Sequence, residues 1–247
     1  MNHVHTAPGA PTALARRYAD VRARTVRLAA PLSPEDCQVQ SMPDASPVKW
    51  HLAHVTWFFE TFVLERFEPG FAPFDARFRV LFNSYYQQVG DRHPRPQRGL
   101  LTRPALADVL RWRAQVDERM ARLLAQQAEP ALQALVTLGL QHEQQHQELI
   151  LTDVLHLLSC NPLFPAYAKA FDAVTPEPAG AVAWHSFDGG LADIGHAGSG
   201  FAFDNESPAR PVALNAFAID SAPVRALDFA RFVDAGGYLE ARYWPGT

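Results

Sequence analysis

The chain has 247 residues, 48% of them hydrophobic and 19% charged, with a formal net charge of −4 and a pI near 6.2. That length suits one large domain or two modest ones and needs no metal or disulfide staple to bury a core. No basic patch points to nucleic acid, no run is apolar and long enough to span a membrane, and the N-terminus lacks an apolar signal core.

Residues 1–11 hold His3 and His5 among Pro, Ala and Gly and are expected to form a disordered leader. Thr12 can cap a first helix over residues 12–30, with Leu14, Tyr18, Val21, Thr25 and Leu28 at helical spacing and the arginines facing elsewhere. Pro31 and Pro34 stop it, and Cys37 follows as an isolated thiol. With Cys160 the only other cysteine, the chain has no C-x-x-C pair, which predicts a reducing, cytoplasmic setting.

Ser46 at the N-cap and Pro47 at the first position open a second helix that runs to about Phe67, apolar on more than one face. Residues 68–103 form a long connection rich in Pro and Gly, yet it carries Phe71, Phe74, Phe78, Phe82, Tyr85 and Tyr86. A segment this aromatic is expected to be ordered and functional. Thr102 can cap a third helix, with Pro104 in its first turn, and a fourth begins near Pro130 and ends at Asn161-Pro162. Four long helices with one elaborate connection predict an antiparallel four-helix bundle over residues 12–172. Beyond about residue 175 short extended pieces replace helices: AVAWHSF, LADIGH, FAF and VALNAFAID, then LDFARFVDAGG as a short helix closed by glycine. Residues 180–247 therefore form a second domain, giving an α+β multidomain chain.

His142-Glu143-Gln144-Gln145-His146 matches the H-E-x-x-H pattern of zinc proteases. Residues four apart share a helix face, so His142 and His146 can chelate one ion. Alone the pair is better explained as exposed polar residues in a Gln- and Glu-rich patch. The second helix adds His51 and His54 in a stretch of Leu, Val, Trp and Phe, where an imidazole is costly unless it is bonded or coordinated. One of these two with the fourth-helix pair makes a three-imidazole site, and the other is then a core histidine. The extended protease pattern fails because it wants Gly at 149 and His at 152, where this chain has Leu149 and Thr152, and no glutamate ligand is evident on a following helix. Imidazole ligands alone do not choose between iron, copper and zinc. His156 is expected to be a helix-end residue near the C-terminal dipole.

The segments SPVKWHLAHVTWFFETFVL, FNSYYQQVGDRHPRPQRGLLTRP and HEQQHQELILTDVLH closely resemble the sulfoxide synthases of ergothioneine biosynthesis. FDGGLADIGHAGSGFAFDNESPARPVALNAFAID resembles the start of that family's C-terminal domain, itself similar to formylglycine-generating enzymes (FGE) and sulfatase modifiers. The resemblance implies a DinB-like bundle followed by an FGE-sulfatase-like domain. It also implies Fe(II) as the metal cofactor, O₂ as the oxidant, and small-molecule substrates. These are hercynine and either cysteine or γ-glutamylcysteine, joined at sulfur and oxidised to a sulfoxide.

Carried onto this chain, the resemblance makes His54, of the A-H-x-x-W piece, an iron ligand with His142 and His146. It places Gln145 beside the substrate, Tyr85 and Tyr86 facing the iron as catalytic residues, and Arg95 and Arg98 on the thiol substrate's carboxylate. Glu143 is left as a bystander carboxylate. The family's second domain continues past the last residue here, so the expectation is a metal site without its full substrate pocket. Such a chain binds Fe(II), makes little product alone, exposes apolar surface over residues 180–247, and depends on a complementing C-terminal chain. Two alternatives stand beside this reading: a DinB-like zinc-dependent hydrolase or thiol transferase, and a non-catalytic metal-binding fragment.

Overall fold

The first helix, α1 (Ala13–Ala29), starts where Thr12 Oγ1 accepts the Ala15 N–H at 3.1 Å. It is seen in a computed structural model that describes residues 12–126, 129–168 and 183–244. The expected leader, with His3 and His5, lies outside the described residues. Helix α1 buries Tyr18, Val21, Thr25 and Ala29, but it also buries Arg22, against the expectation that its arginines face elsewhere. A carboxylate in the core draws that side chain inward.

Helix α2 (Val48–Phe58) is buried along its whole length. Ser46 does not cap it: Pro47 holds the N-cap position, and the Ser46 N–H donates instead to Asp153 at 2.9 Å. The helix continues as a π-helical stretch (Phe59–Leu64) and one final turn (Glu65–Phe67). Wide turns of this kind concentrate at functional sites. Here the stretch turns Glu60 inward, where its Oε1 accepts from Phe74 N–H at 3.0 Å and Trp112 Nε1–H at 3.1 Å. These bonds tie down the long connection, whose Phe78 and Phe82 pack on Trp112 at centroid distances of 4.8 and 5.6 Å.

Helix α3 (Leu106–Gln126) begins later than Thr102, with Asp108 Oδ2 accepting the Ala105 N–H at 3.1 Å as its opening bond. Helix α4 (Pro130–Ser159) starts on proline and ends just before Asn161-Pro162. One core joins all four long helices through Tyr18, Phe58, Phe59, Trp112 and Leu140. A large side chain of this kind contributes about 1.5–3 kcal/mol when fully buried. Gly139 lets α4 approach α2 closely, since a Cβ there would lie 2.7 Å from both the Phe58 and the Phe59 ring.

The chain divides into two compact units after Asp172. In the second unit, β1 (Trp184–Phe187) pairs antiparallel with β4 (Phe217–Asp220), and β2 (Gly190–Ile194) with β3 (Arg210–Leu214). VALNAFAID is thus two strands broken at Asn215-Ala216, and FAF is not a strand. Helix α5 (Ala226–Asp234) follows and closes at Gly236, whose φ of +75° suits glycine. Among the described residues of this unit only Gly237 is buried, while Trp184, Leu191, Ile219 and Leu239 are exposed. The whole is a mostly helical chain with small antiparallel sheets, an α+β composition.

Candidate metal centre

His54 comes from α2 and His142 and His146 from successive turns of α4. One ring nitrogen of each lies within 4.8 Å of the others. The unbroken α4 helix keeps its two histidines on one face. His54 Nδ1 lies 2.6 Å from the Phe82 carbonyl oxygen, which can only accept, so the proton sits on Nδ1 and Nε2 keeps its lone pair. That Nε2 is 3.2 Å from His142 Nε2. The His54 ring is held between two indoles, Trp50 at 4.5 Å and 13° and Trp57 at 5.4 Å and 15°.

Burial, followed by the neighbouring His142, drives the His54 pKa well below its usual value. Burial lowers His142 to about 4 and, with His54 and His51 beside it, drives His146 well below the ordinary range. All three imidazoles are therefore neutral near pH 7, the state that ligates a cation. His142 Nδ1 is buried without a hydrogen-bond partner. One nitrogen from each of three neutral rings, grouped this closely, fits a first-row transition ion, and imidazole serves iron, zinc, copper and nickel alike.

A cavity of about 290 Å³ opens beside these rings. Its wall includes all eight residues that the sequence singled out: the three histidines, Tyr85, Tyr86, Arg95, Arg98 and Gln145. Tyr86 is half-buried, its ring 6.5 Å from that of His142, and burial raises its hydroxyl pKa. Tyr85 is 68% exposed, and its oxygen accepts from Arg95 Nη1 at 3.0 Å. Arg95 also donates to the Asp44 carbonyl. Arg98 is buried, donates to Ser46 Oγ at 2.9 Å and Ser84 Oγ at 3.2 Å, and lies 3.3 Å over the Trp50 ring. Burial and the nearby Arg95 pull its pKa down to about 10, so it remains a cation at neutral pH.

The remaining titratable residues of the two motifs have different places. Glu143 points away from the cavity into the core, where it accepts from Thr25 Oγ1 at 2.6 Å, from Arg22 at 3.0 Å and from Arg113. His51 lies between His146 and Asp153. His156 binds Ser41 Oγ at 2.8 Å, outside the cavity wall.

Sequence reasoning passed over Trp50, Ser46, Ser84 and Asp153. Trp50 precedes His54 by four residues and Asp153 follows His146 by seven, so helical spacing from the ligands would have found both. It also missed Asn83, whose Nδ2 donates to the carbonyls of Gly90 at 3.0 Å and Asp91 at 3.1 Å and so shapes the tyrosine loop.

The three-histidine cluster between two helices of a helical domain is a candidate metal site. The DinB superfamily profile matches residues 17–150, more than half of the chain, so the chain belongs to the DinB superfamily. It is 30% identical over 233 residues to a protein named hercynine oxygenase from Mycolicibacterium thermoresistibile, covering 94% of this chain and 50% of that protein. It is also 30% identical over 237 residues to a hercynine oxygenase from Mycobacterium tuberculosis, covering 95% of this chain and 53% of that one. The chain thus spans about half the length of the curated relatives it matches. No helix among the described residues is long and apolar enough to cross a membrane.

Proposed function

We propose that this chain carries the metal centre of a non-haem iron sulfoxide synthase that joins the sulfur of cysteine or γ-glutamylcysteine to the imidazole of hercynine, with O₂ as oxidant. The observation that carries the reading is the convergence of His54, His142 and His146, with the tyrosine and arginine residues, on one cavity. The names of the relatives supply the reaction class.

His54, His142 and His146 would hold a ferrous ion, which would supply one-electron chemistry with dioxygen. The chain's own residues do the rest. Arg98, fixed by two hydroxyls and an indole, presents its guanidinium to the carboxylate of the thiol substrate, a pairing that suits its planar fork. Arg95 reaches the same cavity from the exposed side. Gln145 offers an amide that can orient the second substrate. Tyr86 keeps its proton on the phenol oxygen and acts as a proton donor beside His142. Tyr85 lines the mouth and steadies Arg95. Holding both substrates against one another lowers the barrier to C–S bond formation by orientation.

The first unit is on this reading a four-helix bundle, and the second is part of an FGE-sulfatase-like domain, supported by relatives that match across nearly the whole chain. The test is anaerobic reconstitution with Fe(II), followed by hercynine, each candidate thiol and then oxygen. The expected result is one bound iron per chain, abolished in His54→Ala, with little product from this chain alone and oxygen uptake that needs both substrates once a complementing C-terminal chain is supplied. Tightly held zinc with thiol transfer and no oxygen uptake would favour the hydrolase or transferase class instead.

A further inference from the structure

His51 Nε2 lies 3.0 Å from Asp153 Oδ2, and His51 Nδ1 lies 2.8 Å from His146 Nδ1. The same Asp153 oxygen accepts the Ser46 backbone N–H at 2.9 Å. His51 and His146 are both buried. The direction of every bond in this row is set by chemistry. A carboxylate oxygen only accepts, so His51 carries its proton on Nε2. Its Nδ1 is then a lone pair, and the proton between the two Nδ1 atoms belongs to His146. With Nδ1 protonated, His146 has its lone pair on Nε2, the nitrogen left for a metal.

We propose that Asp153 and His51 form a buried relay that locks His146 in the tautomer able to bind metal through Nε2, which makes both of them positioning residues of the centre. The inference rests on the reading of His146 as a ligand and deepens it. It also accounts for two histidines three apart on a buried helix: His54 faces the metal directly, and His51 sets the hydrogen-bond polarity of a ligand from another helix. Outer partners of this kind commonly hold metal affinity up by about 10- to 100-fold. Asp153 is suited to the task because it sits on the helix that bears His146, two turns further along the same face. Its accepting oxygen is fixed from the other side by the Ser46 N–H.

The test uses the metal-free full chain with ¹⁵N-labelled histidine and reads the His146 tautomer by NMR, alongside Co(II) affinity against a competing chelator. Wild type should show His146 protonated on Nδ1. Asp153→Asn should retain that tautomer, because the Ser46 N–H holds the amide oxygen where the carboxylate oxygen was, and should bind Co(II) nearly as well. Asp153→Leu removes the acceptor, so the tautomer should become mixed and Co(II) affinity should fall by about 10-fold or more. His51→Phe breaks the same row from the other side and should do the same if the leucine variant does not fold. A wild-type His146 protonated on Nε2 overturns the proposal, as does a folded Asp153→Leu with unchanged tautomer and affinity. Neither readout uses hercynine, a thiol or oxygen. Failure of the proposed activity with the relay intact would therefore count against the function and not against the relay.

Discussion

Glu143 has no exposed surface, and its Oε2 accepts a hydrogen bond from Arg22 Nη1 at 3.0 Å. Glu143 of the H-E-x-x-H pattern is therefore a core anion, one helical step of roughly 100° beyond His142. It joins α4 to α1 through Arg22 and Thr25 and to α3 through Arg113. Arg22 in turn bonds Asp117 at 2.6 Å, and Gln147 donates to Thr25 Oγ1 at 3.0 Å. This network fixes the rotation of α4 and so the direction in which His142 and His146 point.

Glu143→Ala should consequently destabilise the fold by about 3–5 kcal/mol, because it leaves the buried Arg113 without its anion and Arg22 with only the part-exposed Asp117. Denaturant unfolding followed by circular dichroism measures this. A loss below about 1 kcal/mol would show that water or Asp117 compensates and that the network does not hold α4.

The same carboxylate makes a specific contribution to acid stability. Burial pushes its pKa up, but Arg113 and Arg22 outweigh that and hold it near 2, below the unfolded value of about 4.3. A depressed folded pKa gives stability that is complete above the unfolded value and is lost as the pH falls through the folded one. Wild type should therefore lose stability steeply between about pH 4 and pH 2. Glu143→Gln should start less stable and show a flatter loss over that window. Unfolding midpoints collected from pH 7 to pH 2 compare the two slopes.

The grouping of the three histidines was the most legible part of the chain, because HxxxH on a helix and two histidines in an apolar stretch are local patterns with fixed geometry. The choice of His54 over His51 needed the family resemblance, since both are buried on one helix and only cross-helix contacts separate them. Arg22 and Arg113 were not legible as core residues. An arginine on an amphipathic helix is ordinarily solvated, and its inward turn depends on Glu143, more than a hundred positions from Arg22 in the chain. Helix starts were misplaced at Ser46, whose hydroxyl accepts from Arg98, and at Thr102, which lies too early, Asp108 making the opening bond instead. The strands of the second unit were only roughly placed, since almost none of their residues are buried and alternation leaves little signal.

The two tyrosines should differ. Tyr86 is half-buried against Trp57, Phe62 and His142, whereas the Tyr85 oxygen meets Arg95 at the open edge. Under the proposed reaction, Tyr86→Phe should divert turnover from C–S bond formation to simple oxidation of the thiol and cost about 100-fold in the coupling reaction. Tyr85→Phe should change it far less. Product analysis by mass spectrometry at matched oxygen consumption separates them. Equal effects would argue that the tyrosines act through loop packing.

Arg98 is predicted to govern the thiol substrate alone. Its two amino nitrogens are spread between Ser46 and Ser84 while the guanidinium plane rests on Trp50, an arrangement that a lysine cannot reproduce. Arg98→Lys should raise the KM for the thiol by about 10- to 100-fold, the loss of one charged hydrogen bond worth about 1.5–3 kcal/mol, and leave the KM for hercynine unchanged. Arg95→Lys should have a smaller effect, because Arg95 is held largely by the Asp44 carbonyl and Tyr85 at the edge of the cavity. Steady-state kinetics with each substrate varied in turn measures both. A rise in both KM values together would mean that Arg98 supports the cavity wall through Trp50, and a drop in iron stoichiometry would extend that role to His54, which stacks on the same indole at 4.5 Å.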